Sequence, residues 1–304
     1  MKYNFSALTS IVTTADILEL KQLYGRTLPK IKPFKMSRFV AWVCSFLFIN
    51  TQLALFLPRV IDNSSIVYCL CILVSITILL IIILYIINSR KKRWQQNVRL
   101  YKFSKDNELD FALKLDPFFH EGVIFNTGDD RIATSVLSEK NAKFEIANYS
   151  YSETTYYTDT PSTSYYHYGY MMIQLTKKLP HIILDSKANN RKLFNSVLPR
   201  SFDVDQKLSL EGDFDKYFTL YVPKGYERDA LYVFTPDIMA LFIDHSSEFD
   251  AEIIGDKLYI YSLRYFDFRN IVSIQQLFNI ISKIGLAVIN NTNNYVDTTV
   301  KNKK

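Results

Sequence analysis

Two long, uncharged apolar runs dominate the first third of the chain. Phe39–Leu57 spans nineteen residues and Ile66–Asn88 spans twenty-three, and a helix of either length crosses roughly 30 Å of hydrocarbon. Only the short PRVIDNSS connection separates the runs. The pattern therefore predicts an antiparallel transmembrane helix hairpin over residues 37–89. Buried core helices of a soluble protein are the alternative, and an Asn-Thr-Gln stretch inside the first run strengthens it there.

The pattern changes after the second run. RKKRWQQNVRLYKF predicts a basic juxtamembrane helix over residues 90–106. In residues 107–288, short strand-like runs are followed by two amphipathic helices, without the regular strand–helix alternation of a doubly wound sheet. This predicts an α+β domain with a mixed, mainly antiparallel sheet and two or more packed helices. Residues 1–36 are expected to form a segment with a short amphipathic helix, and residues 289–304 a disordered tail.

Local signals place individual elements of the domain. KFEIANYSYS and YYHYGYMMIQL predict a strand pair, HIILD, KLSLE and YFTLYVP predict further strands, and AEIIGDKLYIY predicts a hairpin that turns at Gly255-Asp256. TTADILELKQLYG carries a capping box and a terminal glycine. PDIMALFID begins with Thr235 as its cap and Pro236 as its first helical residue. NIVSIQQLFNIISKI is expected to end at Gly285.

The flanking charges predict which side of the membrane holds the chain ends. Met1–Arg38 carries seven basic and two acidic residues, and Ser89–Lys105 carries seven basic residues and no acid, whereas the connection has one of each. Basic residues close to membrane spans stay on the cytoplasmic side, so both termini are expected there. The residues expected to anchor the helices at the membrane surface are Arg38, Arg90, Lys91, Lys92, Arg93 and Trp94.

The same distribution makes the large domain acidic. When the +5 of Met1–Arg38 and the +7 of Ser89–Lys105 are removed from the whole-chain charge of +6, −6 remains for Asp106–Lys304. A net positive charge can indicate nucleic-acid binding, but here the bases lie beside the apolar runs, where orientation and anionic headgroups explain them. Nucleic acid is therefore not expected as a partner.

All three cysteines, Cys44, Cys69 and Cys71, lie inside the apolar runs. The large domain therefore has no disulfide framework and no cysteine zinc site. This arrangement agrees with a domain in the reducing cytoplasm.

The most distinctive part of the domain is rich in tyrosine. YSYSETTYYTDTPSTSYYHYGY, Tyr149–Tyr170, holds eight of the 21 tyrosines, and no Lys or Arg occurs between Phe144 and Thr176. A surface for single-stranded nucleic acid needs aromatic platforms interleaved with bases, so this acidic stretch does not fit one. Tyr and Thr favour strands, which predicts a β-hairpin with a polar tip. A peptide or sugar site on that hairpin would use Tyr156, Tyr157, Tyr165 and Tyr166.

Catalytic motifs are scarce. The eight glycines form neither a phosphate loop nor a dinucleotide fingerprint, no HExxH or GxSxG is present, and no cofactor is expected. The best cluster is DHSSEFD, in which Asp244, His245, Glu248 and Asp250 provide three carboxylates and an imidazole, all possible ligands of a divalent metal. The alternative is a polar loop after a helix end, where His interacts favourably with the last carbonyls. The other histidines are expected to be structural.

Several stretches carry a family resemblance. SLEGDFDKYFTLYVPKGYERDALYVFTPDIMALFID and FDAEIIGDKLYIYS, with GVIFNTGDDR, FEIANYSY and KKLPHIILD upstream, resemble an uncharacterised family of bacterial membrane proteins over most of Asp106–Ser262. The resemblance implies a two-span anchor in the bacterial cell membrane followed by a cytoplasmic α+β domain of unknown function. It implies no activity and no catalytic residue.

Two hypotheses of different classes follow. The favoured one is a membrane-anchored cytoplasmic interaction or scaffold protein, whose partners are the lipid bilayer and either another protein or a second copy of the chain. The alternative is a membrane-associated hydrolase or metal-dependent enzyme that uses Asp244, His245, Glu248 and Asp250. The scarcity of catalytic motifs favours the first.

Overall fold

A computed structural model describes residues 3–25, 28, 45, 48, 49, 52, 64–115, 120–141, 143–157, 160–189, 207–210 and 212–297. The chain divides into two compact units. Met1–Pro29 and Asn97–Lys304 together make one unit, which we call the folded unit. Lys30–Gln96 makes the other, which we call the apolar unit.

The first two helices are α1, Thr14–Tyr24, and α2, Ser64–Asp106. α2 is continuous over 43 residues and includes the second predicted membrane run. Almost every described side chain from Ile72 to Lys92 is exposed. The first run, residues 39–57, and the connection after it lie almost entirely outside the residues that the structure describes. The two-helix hairpin therefore stays a prediction.

Two described helices, Ile72–Asp106 and Ile271–Thr292, are long and apolar enough to cross a membrane, judged by length and composition alone. The surroundings of the two helices differ. In the most apolar 18-residue stretch of Ile72–Asp106 no residue is buried, whereas in that of Ile271–Thr292 39% of the residues are buried. In the second, Ile274, Phe278 and Ile284 are at most 3% exposed. Packing in the core of the folded unit accounts for its apolar sequence.

The folded unit is α+β, with a mainly antiparallel sheet of seven strands among its described residues. The strand order is β1-β2-β3-β4-β6-β5, and β7 pairs with the other edge of β4. This agrees with the fold class expected from the sequence. The strands are β1 (Leu109–Leu115), β2 (Asp129–Glu139), β3 (Phe144–Tyr157), β4 (Thr160–Ser186), β5 (Lys207–Leu208), β6 (Phe218–Tyr221) and β7 (Asp250–Ser262).

β4 is the longest strand and organises the sheet. Its first half pairs with β3 in an unbroken antiparallel register over the whole length of β3. β7 runs along the opposite edge, and β6 pairs with Ile183–Ser186 at the end of β4. The hairpin predicted from the tyrosine-rich stretch is therefore confirmed as the β3–β4 pair.

AEIIGDKLYIY lies within a single strand, β7, so the predicted hairpin at this position was wrong. Gly255 has a φ of +58°, and the register between β7 and β4 shifts between Gln174 and Ile182. The glycine thus makes an irregularity within a continuous strand. Pairing with β4 on both sides of Gly255 outweighs the local turn signal.

Different segments cover the two faces of the sheet. One face carries the buried rings of Tyr149 and Tyr170 and lies under residues 120–127, which we call the strap. On the other face, the Phe144 ring lies 5.8 Å from that of Phe278. The remaining helices are α3 (Phe214–Tyr217), α4 (Glu227–Val233), α5 (Pro236–Ser246), α6 (Ile271–Ile280) and α7 (Leu286–Thr292).

The C-terminal helix continues past Gly285, where the sequence predicted its end. Ile281–Gly285 forms a π-helical turn that joins α6 to α7, and Gly285 has helical backbone angles. A Cβ at Gly285 would lie 3.0 Å from the Ile173 side chain, so the glycine permits close packing on the sheet. The described domain extends to residue 297, beyond the expected boundary at 288, and Tyr295 is buried.

The N-terminal segment, residues 3–25, packs on the C-terminal part of the folded unit. α1 has the predicted capping box, in which Thr13 and Asp16 exchange hydrogen bonds, and it is followed by Gly25 in a positive-φ conformation. Asn107 accepts a hydrogen bond from the Asn4 amide at 2.6 Å and donates to its carbonyl at 2.9 Å. The segment thus packs beside the end of α2.

Candidate functional site

The β3–β4 hairpin gives one face of the sheet a row of tyrosines. Tyr149 pairs with Tyr168, and Tyr151 with Tyr166, so all four side chains lie on the same face. The Tyr151 ring stacks on Tyr166 at 4.8 Å and on Tyr168 at 5.9 Å. Burial raises the pKa of Tyr149 and of Tyr151, so both hydroxyls stay protonated at neutral pH. This part of the row belongs to the core.

Beyond the row, the hairpin continues as a two-stranded arm, residues 153–157 and 160–164. The last pairing of β2 with β3 is Asp129 with Ser152, and the first of β7 with β4 is Ser262 with Gly169. Among the described residues the arm therefore has no third strand. Tyr156 on the arm is 78% exposed, which makes it the most accessible tyrosine of the predicted set that the structure describes.

The structure does not bring the four candidate tyrosines to one surface. Tyr156 and Tyr165 share a face with Thr154 and Thr163, whose hydroxyls lie 3.0 Å apart. Tyr166 lies on the opposite face, against Tyr151. The side chain of the fourth, at position 157, lies outside the described residues. A binding surface on the arm would thus combine Tyr156 with threonine hydroxyls.

A buried polar network fastens the strap to the tyrosine face. The His120 ring has Nε2 3.0 Å from Glu145 Oε1 and Nδ1 3.2 Å from the Tyr259 hydroxyl. Tyr170 also donates to Glu145. Burial, and then the Glu145 carboxylate, raise the pKa of Tyr170 far above its ordinary value, which keeps this hydroxyl a donor.

A second set of bonds surrounds Glu252, which is fully buried. Its Oε2 accepts hydrogen bonds from the Val123 amide at 2.9 Å and from the Tyr261 hydroxyl at 2.7 Å. Its Oε1 lies 2.6 Å from His181 Nε2. A buried carboxylate is tolerated only with such partners, so this residue ties the strap, β4 and β7 together.

The strap also places one aromatic ring among four tyrosines. Phe125 lies 5.0 Å from the rings of Tyr149 and Tyr170, 5.4 Å from Tyr259 and 6.0 Å from Tyr261, mostly edge to face. Such pairs add about 0.5 to 1.5 kcal/mol each beyond burial. The Phe125 ring therefore packs over the tyrosine face and covers it.

The network can hold and pass a proton, because an imidazole bridges a carboxylate and a phenol. However, the His120 side chain is only 9% exposed and that of Glu145 is 14% exposed. Donors from the strap and the sheet hold both glutamates. The arrangement supports a structural role, and sequence reasoning missed the pairs because their members are 25 to 139 residues apart.

The acidic cluster after α5 divides between surface and core. Asp244 and Glu248 are exposed, and His245 is half-buried with Nε2 3.1 Å from Lys283 Nζ. Asp250 is fully buried at the start of β7. Across the part of the chain that the structure describes, no group of three or more His, Cys, Asp or Glu side chains could hold a metal ion.

Asp250 is held by the end of β4 and the loop after it. Its Oδ1 accepts hydrogen bonds from the Ser186 amide at 2.8 Å and from Asn189 Nδ2 at 2.9 Å. Burial, with a smaller contribution from nearby Asp185, raises the pKa of Asp250 to about 7 despite these bonds. The carboxyl group therefore titrates near neutral pH.

The basic residues after the apolar stretch of α2 form a continuous group, Arg90–Arg93, which we call the basic band. Arg90, Lys91 and Lys92 are exposed, whereas Arg93 is half-buried and Trp94 is 6% exposed. No acidic residue occurs from Ser64 to Lys105. Arg38, the anchor predicted on the other flank, lies outside the described residues.

An open cleft of about 450 Å³ lies between the N-terminal segment and the end of α2. Lys102 and Lys105 line it together with Ser6, Ser10 and Asp106. Lys102 already forms an ion pair with Asp16 at 2.9 Å. The cleft therefore offers little uncompensated charge to an anion.

Comparison with known proteins gives little guidance. No protein-family model matches the chain, and no curated protein matches it. Among solved structures, the crystal structure of the mycobacterial trehalose monomycolate transport factor A, TtfA, is similar to 61% of this chain and 94% of its own, with 8% sequence identity and a TM-score of 0.38. A likeness of that strength carries no argument about function.

Proposed function

We propose that the protein is a membrane-anchored interaction protein of the bacterial cell membrane. Residues 39–57 and 66–88 form its two-helix anchor, and the folded unit faces the cytoplasm and binds a partner protein. The observation that carries the proposal is the bare apolar helix: in the described part of α2, nearly every side chain from Ile72 to Ile87 is exposed. Water is an unfavourable solvent for such a surface, whereas hydrocarbon is not.

The length of this stretch fits a bilayer. The 23 uncharged residues of Ile66–Asn88 extend about 34 Å as a helix at 1.5 Å per residue. The hydrocarbon core of a bilayer is roughly 30 Å thick. The helix can therefore cross with a small tilt, and all its backbone groups are satisfied within the helix.

The docking of the N-terminal segment supports an even number of crossings. Arg99 Nε donates to the Ser10 carbonyl at 3.1 Å, and the Tyr24 hydroxyl donates to the Phe111 carbonyl at 2.7 Å. The segments that precede and follow the apolar unit in the sequence thus belong to one folded unit. If α2 crosses the membrane once, a second crossing must return the chain, and Phe39–Leu57 is the apolar run available for it.

The interaction role is supported by the arm, whose Tyr156 is an exposed aromatic residue in a stretch, Phe144–Thr176, that contains no Lys or Arg. Tyrosine supplies large contact area at low entropy cost and is enriched in protein interfaces. No observation favours the metal-dependent enzyme that the sequence left as the alternative.

Cysteine accessibility tests the topology. In a background without the three native cysteines, Thr154→Cys on the arm and Asn63→Cys in the predicted connection are probed with a membrane-impermeant maleimide. We expect the arm cysteine to react in inverted vesicles and the connection cysteine in intact spheroplasts. An arm cysteine that reacts in intact spheroplasts would overturn the proposed orientation, and release of the protein by alkaline carbonate would overturn the anchor.

Site-specific cross-linking tests the interaction role. A photoreactive residue at position 156 is compared in living cells with one at position 178, which is also exposed but lies outside the arm. We expect a discrete protein adduct at position 156 and none at the control. If neither position, or both equally, forms an adduct, the arm is not the binding surface.

A further inference from the structure

We infer that the basic band of α2 binds the phosphate headgroups of anionic phospholipids at one membrane face. The inference rests on the proposed membrane anchor and adds the class of lipid that the anchor prefers. It is carried by the position and spread of the four bases, the exposure of three of them, and the lack of acid from Ser64 to Lys105.

Position comes first. The band begins two residues after the 23-residue apolar run ends at Asn88, and the helix continues without interruption between them. When the apolar run occupies the hydrocarbon, Arg90 lies about 3 Å further along the helix axis. That is the depth of the headgroup phosphates at the edge of the hydrocarbon.

The spread of the bases around the helix fits a planar array of phosphates. Four consecutive residues of an α-helix are separated by about 100° each, so Arg90–Arg93 point to all sides within a layer about 5 Å deep. An extended nucleic acid or a single pocket would instead require bases along one face. A lipid headgroup layer surrounds the helix, as these side chains do.

Three of the four basic side chains in the band are exposed enough to contact lipid. Arg90, Lys91 and Lys92 are exposed, whereas Arg93 is half-buried and is followed by the buried Trp94. The lipid contact is therefore assigned to the three exposed side chains. Long basic side chains extend from a helix toward phosphates while their methylene groups stay near the hydrocarbon.

The helix carries no acid near these charges, because its only Asp or Glu is its last residue, Asp106. Some bases of the folded unit, by contrast, lie beside carboxylates: Lys102 pairs with Asp16, and Lys257 Nζ lies 3.9 Å from Glu121. From Ser64 to Lys105 there is no Asp or Glu. Each base near an anionic surface strengthens binding by a factor on the order of five, so three bases are expected to give a clear preference over zwitterionic lipid.

The test uses the purified full chain in mild detergent. An equimolar mixture of phosphatidylglycerol and phosphatidylcholine is added, and native mass spectrometry counts the lipids of each kind that stay bound. The R90Q/K91Q/K92Q variant is compared with K177Q/K178Q/K224Q, which removes the same charge from exposed positions of the folded unit. Parallel samples contain high salt or an excess of inorganic phosphate.

We expect the wild type and the control variant to retain the anionic lipid about tenfold or more over the zwitterionic one. The band variant should lose most of that preference, and high salt should weaken it in the other two. Equal retention of both lipids by the wild type, or an unchanged preference in the band variant, would overturn the inference while leaving the anchor intact. Displacement of the lipid by inorganic phosphate would show that the site recognises free phosphate instead.

Discussion

Replacement of Asp250 by Asn should remove much of the pH dependence of the folding stability. The carboxyl group is fully buried and has a pKa of about 7 in the folded protein, against a reference value of 3.8. Because the folded-state pKa is raised, the stabilising contribution of this group is fully present below about pH 4. It is lost as the pH rises through about 7.

The magnitude follows from the shift in pKa. A difference of about 3 units at 1.36 kcal/mol per unit corresponds to about 4 kcal/mol between the protonated and ionised forms. In the variant, the amide oxygen can still accept from the Ser186 and Asn189 donors. The amide nitrogen takes the place of Oδ2, which accepts no hydrogen bond from a described residue. At pH 8 the Asn variant should therefore be more stable than the wild type by up to about 4 kcal/mol, and near pH 4 the two should be similar.

Thermal and urea unfolding of the full chain in mild detergent, followed by near-ultraviolet circular dichroism, would measure this difference across the pH range. Asp244→Asn is the matched control, because it makes the same change at an exposed position of the same acidic cluster, where effects stay within about 0.5 kcal/mol. Parallel stability curves for the wild type and Asp250→Asn between pH 4 and 8 would refute the reasoning.

Two further substitutions test the strap and the C-terminal segment. Gly122→Ala places a Cβ 2.2 Å from the Tyr261 hydroxyl, so it should destabilise the protein by about 1 to 3 kcal/mol. Because Tyr261→Phe also removes a hydrogen bond to Glu252, the two changes are compared in a double-mutant cycle. Gly122→Ala should cost less in a Tyr261→Phe background than in the wild type, and an equal cost in both would contradict a steric cause. Tyr295→Phe removes a 2.6 Å hydrogen bond to buried Asp229 and should cost about 1 to 3 kcal/mol. Tyr226→Phe removes a longer hydrogen bond of 3.5 Å and should change the stability little. Equal losses of stability in the two variants would show that the buried hydrogen bond is not the cause.

The sequence was most informative where local chemistry decides the structure. Thr13 and Asp16 form the predicted capping box because both partners lie within one turn. The β3–β4 hairpin formed as predicted, since alternating tyrosine and small polar residues suit a strand. Pro236 begins α5 as predicted, although the Thr235 side chain makes no capping hydrogen bond.

Long-range contacts account for the predictions that differed. Gly255 carries a turn signal, yet pairing with β4 on both sides keeps β7 a single strand. Gly285 resembles a helix terminator, but its missing Cβ makes room for Ile173. For the same reason, the bonds that join His120 to Glu145 and His181 to Glu252 have no local sequence signal. The packing of the strap on the sheet brings His120 to Glu145, and the pairing of β4 with β7 brings His181 to Glu252.

The docking of the N-terminal segment has a consequence for how the chain is made. The Tyr3 and Phe5 rings lie 4.5 Å and 5.9 Å from that of Phe278. Chain synthesis proceeds at roughly 5 to 20 residues per second, so Phe278 is added on the order of tens of seconds after Tyr3 and Phe5. The proposed membrane helices would already be synthesised by then. Because an N-terminal segment carried across the bilayer could never reach Phe278, completion of the fold would depend on correct insertion earlier in synthesis.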